Sequence, residues 1–89
     1  MKSVTTEKFR SLFASAPLER QARIKGAYRQ WKENSAHPSL RFKKVHQRLP
    51  IYSVRVDLDW RAVGILEADT VVWFWVGPHP QYEALLRSL

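Results

Sequence analysis

The chain has 89 residues, which is enough for one small domain covering residues 1–89 and leaves no room for a second. It contains fifteen Lys and Arg against eight Asp and Glu, a formal net charge of +7, and no cysteine. The lack of cysteine excludes disulfides and thiolate zinc sites, and no apolar stretch approaches the ~20 residues of a membrane span. No apolar signal core follows the first residues, so we expect a cytoplasmic protein.

The positive charge is concentrated in one part of the chain. Nine basic residues and a single acid, Glu33, lie between Arg20 and Arg48, whereas the rest of the chain is close to neutral. A clustered excess of this kind indicates a polyanionic partner, either a nucleic acid or an acidic protein segment. The alternative is a solvated helix face that happens to be basic.

Two helices are predicted at the start of the chain. The first begins at about Thr5-Thr6-Glu7, a sequence typical of a helix start, and it ends before Pro17. Pro17 is compatible with the first turn of a second helix, which we predict to run to about Asn34. The predicted buried faces consist of Phe9, Leu12, Phe13 and Ala16 in the first helix and of Leu18, Ile24, Ala27, Tyr28 and Trp31 in the second. The composition of residues 34–39 predicts a loop.

From Leu40 onward the hydrophobic pattern alternates, which predicts β-strands. The segment 40–47 is a weak strand, and three stronger ones follow it, "IYSVRV", "WRAVGILE" and "TVVWFWVG". The final segment, "QYEALLRSL", predicts a short amphipathic helix. The predicted fold is therefore α+β: an N-terminal helical hairpin packed on a curved, mainly antiparallel four-stranded sheet, with a short C-terminal helix.

The length of the turn at Asp57-Leu58-Asp59 decides where two arginines lie. A two-residue turn would place Arg55 and Arg61 on opposite faces, whereas a three-residue turn places them directly opposite each other across the strand pair. We predict three residues, because Trp60 then joins the apolar face of the preceding strand. Paired arginines on a sheet surface form a fork for one phosphate group, since each planar guanidinium bonds two phosphate oxygens. The alternative is a pair of surface arginines bound to Asp57 and Asp59.

The last predicted strand ends at Gly77, and His79 and Tyr82 follow it. An imidazole at this point can transfer a proton near neutral pH, and a tyrosine can stack on a base or donate a hydrogen bond. The alternatives are a loop histidine and a tyrosine packed on the sheet. We expect no metal site from His37, His46 and His79, because their spacings fit no usual ligand pattern.

The chemistry that these residues permit is metal-free cleavage of RNA. The 2′-hydroxyl attacks the adjacent phosphate, arginines stabilise the phosphorane and a histidine moves a proton, so no external nucleophile or cofactor is needed. Nearby basic side chains would bind the nucleic acid, and the candidates are Lys43, Lys44, His46, Arg41, Arg29 and Lys25. For Lys43 and Lys44 the alternative is an ordinary solvated edge strand, in which the lysines prevent pairing with a strand of another chain.

Three segments, "HPSLRFKKV", "YSVRVDLDWRAVG" and "WFWVGPH", resemble the RelE/ParE superfamily of type II toxin–antitoxin toxins. The resemblance extends from about Phe9 to Leu86 and implies the fold of that superfamily, including an N-terminal strand for which only Lys2-Ser3-Val4 is available. Toxins of the RelE branch cleave mRNA in the ribosomal decoding site and are silenced by a cognate antitoxin. Toxins of the ParE branch share the architecture but inhibit DNA gyrase.

The motif of the RelE branch implies roles for single residues. Arg55 and Arg61 would hold the scissile phosphate, His79 would transfer a proton and Tyr82 would position a base, whereas Ser53 stands where the motif has a lysine. The resemblance implies a ribosome-dependent mRNA endoribonuclease that inhibits translation, with the ribosome, mRNA and an acidic antitoxin as partners. The alternatives are a gyrase inhibitor without nuclease activity and an inactive relative that binds only antitoxin or RNA.

Overall fold

The computed structural model describes residues 1–89 as three α-helices, a short 3₁₀ helix and five strands. In chain order the elements are β1 (Lys2–Thr5), α1 (Glu7–Ser15), α2 (Leu18–Glu33), the 3₁₀ helix (Pro38–Leu40), β2 (Lys43–Lys44), β3 (Ile51–Arg55), β4 (Trp60–Glu67), β5 (Thr70–Pro78) and α3 (His79–Ser88). No helix combines the length and the apolar character that crossing a membrane requires.

The five strands form one sheet in the order β1-β5-β4-β3-β2, in which β1 runs parallel to β5 and the other neighbours are antiparallel. The predicted α+β class is confirmed, but the sheet has five strands rather than four. The additional strand is β1, and its Lys2 amide donates to the carbonyl of Asp69 at 2.9 Å. A four-residue strand is too short to show a hydrophobic period, so only the family resemblance pointed to it.

Local signals set the ends of the first two helices. Thr6 caps α1, because its Oγ1 accepts a hydrogen bond from the amide of Phe9 at 3.1 Å. Pro17 precedes α2 and fits there, since a proline at a helix start lacks only an N–H that would have no helical partner. Helix α2 ends at Glu33, within a residue of the predicted end.

Two predicted boundaries are wrong. The segment 40–47 contains only the two-residue strand β2, because the 3₁₀ helix extends to Leu40 and Arg41 then takes a left-handed conformation with φ of 47°. Helix α3 begins at His79, two residues before the predicted start. Pro80 lies in its first turn, where the missing N–H costs no hydrogen bond.

The first core lies between the two N-terminal helices and the sheet. Its buried members are Ala16, Ile24, Ala27, Trp31, Leu40, Val54, Ala62, Val71, Trp73 and Val76. Trp31 of α2 contacts Trp73 of β5 edge to face, with ring centroids 5.3 Å apart. The helical hairpin is therefore anchored to the sheet mainly through large aromatic side chains.

The buried face of α2 is narrower than the sequence predicts. Leu18 is 82% exposed and Tyr28 is 40% exposed, although both were assigned to the buried face. Leu18 is the first residue of the helix, and Tyr28 follows the buried Ala27 by one position, so its side chain is rotated about 100° away.

A second core lies on the opposite face of the sheet, under α3. Its buried members are Ile51, Val63 and Tyr82, with Phe74, Trp75 and Leu85 packed around them. A register shift places Trp75 opposite Val63 but Trp73 opposite Gly64, which leaves Phe74 as the extra residue of a β-bulge. Strand β5 thus supplies apolar side chains to both faces, and this explains its uninterrupted apolar sequence.

Candidate functional site

Arg55 and Arg61 lie directly opposite each other at the end of the β3–β4 hairpin. The turn has the predicted three residues, because the amide of Val56 donates to the carbonyl of Trp60 at 3.0 Å and closes it. Opposed residues of an antiparallel pair project from the same face of a sheet. We call Arg55 and Arg61 the arginine pair. It shares the α3 face of the sheet with Ser53, which precedes Arg55 by two positions on the same strand.

The arginine pair forms no ion pair within the protein. The carboxylates of the turn bind α2 instead, since Arg20 Nη1 lies 2.6 Å from Asp57 and Arg20 Nη2 lies 3.8 Å from Asp59. The alternative in which Arg55 and Arg61 pair with these two aspartates is therefore wrong. Two positive charges remain on one face for an external anion.

Arg61 is oriented by the main chain of the turn. Its Nη1 donates to the carbonyls of Asp57 at 2.9 Å and Trp60 at 3.0 Å, and it lies 3.4 Å from the carbonyl of Leu58. The other two guanidinium nitrogens form no hydrogen bond within the chain. They leave N–H donors that can bind phosphate oxygens.

The Asp57 carboxylate fixes the turn that holds Arg61. Its Oδ1 accepts hydrogen bonds from the amides of Asp59 at 2.8 Å and Trp60 at 3.0 Å, and its Oδ2 binds Arg20. Burial by itself would raise the pKa of Asp57, but the Asp59 amide and the Arg20 guanidinium outweigh burial and hold the pKa below its ordinary value. The carboxylate is therefore ionised at neutral pH and keeps the turn rigid.

His79 lies beside this turn at the start of α3. Its backbone amide donates to the carbonyl of Asp59 at 2.7 Å, and its ring lies 5.5 Å from the ring of Tyr82. Its Nε2 lies 3.0 Å from Oε1 of Glu83, one helical turn later, while Nδ1 is buried without a hydrogen-bond partner. The side chain is 43% exposed, and a substrate that bonded to Nε2 would replace Glu83 as its partner.

Tyr82 lies beneath the surface of this site. It is 6% exposed, and its hydroxyl donates a hydrogen bond to Ser53 Oγ at 3.1 Å. The ring also packs against Trp75, with centroids 6.5 Å apart. Of the two interpretations of Tyr82, the tyrosine packed on the sheet is the one observed, and in this position the ring supports His79 and cannot stack on a nucleic-acid base.

The predicted basic residues of β2 and the loop after it differ in placement. Lys43 pairs with Ser53 and therefore shares the face of the arginine pair, whereas Lys44 pairs with Tyr52 and projects from the other face. Both lysines are exposed. His46 is bound to the main chain instead, because its Nδ1 accepts from the amides of Arg48 and Leu49 at 3.1 and 2.9 Å.

The remaining predicted basic residues lie away from the arginine pair. Lys25 and Arg29 are exposed on α2, which packs on the opposite face of the sheet. Arg41 is exposed directly after the 3₁₀ helix. The structure thus places Arg55 and Arg61 opposite each other on one face of the sheet, bonds the backbone of His79 to the same turn and packs Tyr82 beside the His79 ring, and it distributes the other cations over both faces.

Sequence reasoning did not identify three contributors to the site. Glu83 could have been found from its spacing of four residues after His79, which places both side chains on one face of a helix. Ser53 and Arg20 could not, because their partners Tyr82 and Asp57 are distant in the chain. No group of three or more His, Asp or Glu side chains is arranged to hold a metal ion.

One comparison with known proteins identifies a family. The family model described as the ParE-like toxin domain matches residues 18–84. No curated protein sequence matches the chain.

Solved structures of toxins share the fold. A chain of the RelB–RelE antitoxin–toxin complex from Methanococcus jannaschii has a TM-score of 0.73 at 16% identity, over 92% of this chain and 96% of that chain. YafQ from E. coli has a TM-score of 0.73 at 10% identity, over 91% of this chain and 96% of its own. The YoeB/ParE toxin from Agrobacterium tumefaciens has a TM-score of 0.68 at 14% identity, over 89% and 99%.

These structural likenesses have low sequence identity, so they establish the fold, while the family match covers most of the chain. The chain therefore belongs to the family of ParE-like toxin domains.

Proposed function

We propose that this toxin is a ribosome-dependent endoribonuclease, which cleaves mRNA without a metal ion and so inhibits translation. The observation that carries the proposal is the arginine pair. Arg55 and Arg61 lie directly opposite each other without any acidic partner, and the turn that orients Arg61 also bonds the amide of His79. Two guanidinium groups and one imidazole on adjoining elements are the parts that metal-free phosphodiester cleavage needs.

Each side chain has a role in the proposed reaction. The 2′-oxygen attacks the adjacent phosphorus, the bond from phosphorus to the 5′-oxygen breaks, and a cyclic phosphate forms. Arg55 and Arg61 stabilise the extra negative charge of the phosphorane, because their N–H donors face charge that develops only in the transition state. His79 donates a proton to the departing 5′-oxygen, and the proton of the 2′-hydroxyl passes to solvent.

Dependence on the ribosome follows from what the site lacks. Tyr82 is buried and Ser53 occupies the place of a lysine. The chain therefore offers few groups that could orient the 2′-oxygen of an RNA strand for attack on the adjacent phosphorus. A ribosome that already holds the message would supply this orientation. Lys43 beside the arginine pair, together with Arg29 and Lys25 on α2, would bind ribosomal RNA through phosphate contacts.

The proposed partner of the free toxin is an acidic antitoxin segment. An open groove of about 370 Å³ lies between α1, α2 and the sheet, with Phe9, Phe13 and Tyr28 in its apolar lining. Arg10 and Lys25 line the same groove. An amphipathic segment with acidic residues along its edges would bury the aromatic side chains and neutralise the two cations, and a partly disordered segment could fold as it binds.

Gyrase inhibition is the second candidate function, and one observation favours it. The matching family model is that of ParE-like toxins, and its match covers residues 18–84, which include both α2 and the arginine pair. On this alternative the basic surface would contact the DNA–gyrase complex, and the arginine pair would have no chemical role.

A translation reaction with one defined message separates these functions. We expect the wild-type toxin to stop synthesis and to produce message fragments whose ends map to ribosomal A-sites. Arg61→Ala should reduce these fragments about a hundredfold, whereas Arg87→Ala should not, because Arg87 is an exposed arginine at the far end of α3.

Supercoiling by purified gyrase is measured in parallel. Intact message together with DNA breaks trapped on gyrase would overturn the nuclease proposal in favour of the ParE-like alternative. Intact message with unaffected gyrase and no arrest of growth would leave an inactive relative that binds only antitoxin or RNA.

A further inference from the structure

A second, more polar groove lies on the flank of α2 and reaches Arg55, one member of the arginine pair. Its volume is about 490 Å³, within the ~300–1,000 Å³ typical of small-ligand sites. Its walls are α2, the 3₁₀ helix and the β3–β4 turn, and it is lined by Arg23, Gly26, Gln30, Ser39, Arg55 and Asp57, among others. We call it the α2 groove, and of the residues named here only Arg55 takes part in the reaction described above.

Gly26 is the feature of the α2 groove that packing does not explain. It lies in the interior of α2, where glycine destabilises a helix by roughly 0.5–1 kcal/mol relative to alanine. A Cβ built on Gly26 would meet no heavy atom within 4 Å apart from its chain neighbours and the backbone of its own helix, so no packed neighbour in the free protein requires its absence. A ligand that approaches the helix backbone closely would require it.

The charges of the α2 groove favour an anion. Arg23 is largely exposed and lies 3.9 Å from the Asp57 carboxylate, whereas Arg20 binds the same carboxylate at 2.6 Å and neutralises it. Arg55 has no acidic partner. Two arginines are therefore available at the groove without a free acid beside them.

Polar and apolar groups of the α2 groove fit a base as well as a phosphate. The Oε1 atom of Gln30 accepts a hydrogen bond from Ser39 Oγ at 3.1 Å, which leaves the Gln30 amide N–H groups as free donors. The partly buried Val56 and the exposed Leu58 supply accessible apolar lining. An amide donor beside an apolar wall can hold the edge and the face of one nucleobase.

We propose that the α2 groove binds one nucleotide of single-stranded RNA that neighbours the scissile phosphate. Its phosphate lies on Arg23 and Arg55, its base lies on the apolar lining with its edge on Gln30, and its backbone passes close to Gly26. This inference rests on the proposed nuclease function, because it adds to that site a contact with the same RNA strand. It assigns to α2 a direct role in substrate binding.

Substitution of Gly26 tests the proposal with a matched pair of variants. Gly26→Trp fills the groove and Gly26→Ala leaves most of it open, and both residues form helices better than glycine, so neither should unfold the chain. The probe is a short single-stranded RNA with 2′-O-methyl groups, which cannot be cleaved. Binding is followed by fluorescence anisotropy and by the amide NMR signals of the wild-type protein.

We expect the RNA to shift the amide signals of Gly26, Gln30 and Ser39. Gly26→Trp should weaken RNA binding about tenfold, the effect of losing one nucleotide contact, and Gly26→Ala should weaken it by a smaller factor, because its Cβ takes only the space closest to the helix backbone. Equal affinity of all three proteins, or signal shifts that spare these amides, would overturn the proposal. Because the probe is neither cleaved nor bound to ribosomes, this outcome is independent of whether the toxin proves to be a nuclease.

Discussion

The hydroxyl of Tyr82 donates a hydrogen bond to Ser53 Oγ at 3.1 Å across the buried layer between α3 and the sheet. Ser53 is 2% exposed, so the position where the RelE-branch motif has a lysine lies inside this protein. A lysine there would bury a positive charge without a partner, which is strongly unfavourable. Ser53 and Tyr82 are therefore structural, and the charge of the site rests on the arginine pair.

Removing either side of this hydrogen bond should destabilise the protein. Tyr82→Phe and Ser53→Ala should each lower the free energy of unfolding by about 1–2 kcal/mol, because each leaves the other hydroxyl buried without a partner. Urea denaturation measures both values. The double variant should lose less than the sum of the single losses, since it leaves no orphaned hydroxyl. Strict additivity would show that the two hydroxyls are not coupled.

The stability contribution of Asp57 should depend on pH. Its pKa in the folded protein lies below the ordinary value of 3.8, so the folded state favours the ionised carboxylate. This contribution is complete above the ordinary pKa and is lost as the pH falls through the lower, folded-state pKa. Asp57→Asn should therefore destabilise the protein by about 1–2 kcal/mol at neutral pH and by progressively less below pH 3.8.

Asp69→Asn is the matched control for Asp57→Asn. Asp69 is exposed and lies 3.9 Å from the exposed Lys2, so its loss should change the free energy of unfolding by less than about 0.5 kcal/mol. Urea denaturation at several pH values gives both series. A difference between wild type and Asp57→Asn that stays constant into acid would contradict the assigned role of the carboxylate.

The sequence predicted the elements whose signal is local. The apolar run of β5 predicted a strand, and the apolar character of Trp60 predicted the register that pairs Arg55 with Arg61. The contacts that finish the site join distant residues, 29 positions apart for Ser53 and Tyr82 and 37 for Arg20 and Asp57. No periodicity encodes how α2 and α3 dock, so these pairs needed coordinates.

Lysine should not restore full cleavage activity at position 61 if Arg61 binds phosphate while it is bonded to the turn. A lysine keeps the positive charge. It lacks the planar set of donors with which arginine can bond the turn carbonyls of Asp57 and Trp60 and a phosphate at the same time. We expect Arg61→Lys to lower the rate of message cleavage about tenfold and Arg61→Ala about a hundredfold. Quantified fragments from the translation reaction measure both rates. Full activity of Arg61→Lys would reduce its role to that of a general surface charge.

Glu83 should act as a positioning residue for His79. Its carboxylate lies 3.0 Å from His79 Nε2, and a glutamine would keep an oxygen there whereas an alanine would not. Glu83→Ala should lower the maximal cleavage rate about tenfold. The toxin concentration that gives the half-maximal rate should change little. Glu83→Gln should have most of the wild-type activity. Because the pair is exposed, both variants should unfold within about 0.5 kcal/mol of the wild type. Equal loss in both variants would mean that the charge of Glu83 matters and not its position.

The two glycines Gly26 and Gly64 should respond to alanine in opposite directions. A Cβ on Gly64 would lie 2.7 Å from Val71 Cγ1 and 2.9 Å from Trp73 Cε3, so it would force these core side chains apart at the bulge. Gly64→Ala should therefore lower the free energy of unfolding by about 1–3 kcal/mol. Gly26→Ala meets no neighbour and should raise it by about 0.5–1 kcal/mol, because alanine is the better helix former. Urea denaturation of the two variants measures both changes in the free energy of unfolding. If Gly26→Ala is destabilised, the free protein itself requires this glycine. The main reason to assign Gly26 to a ligand is then removed.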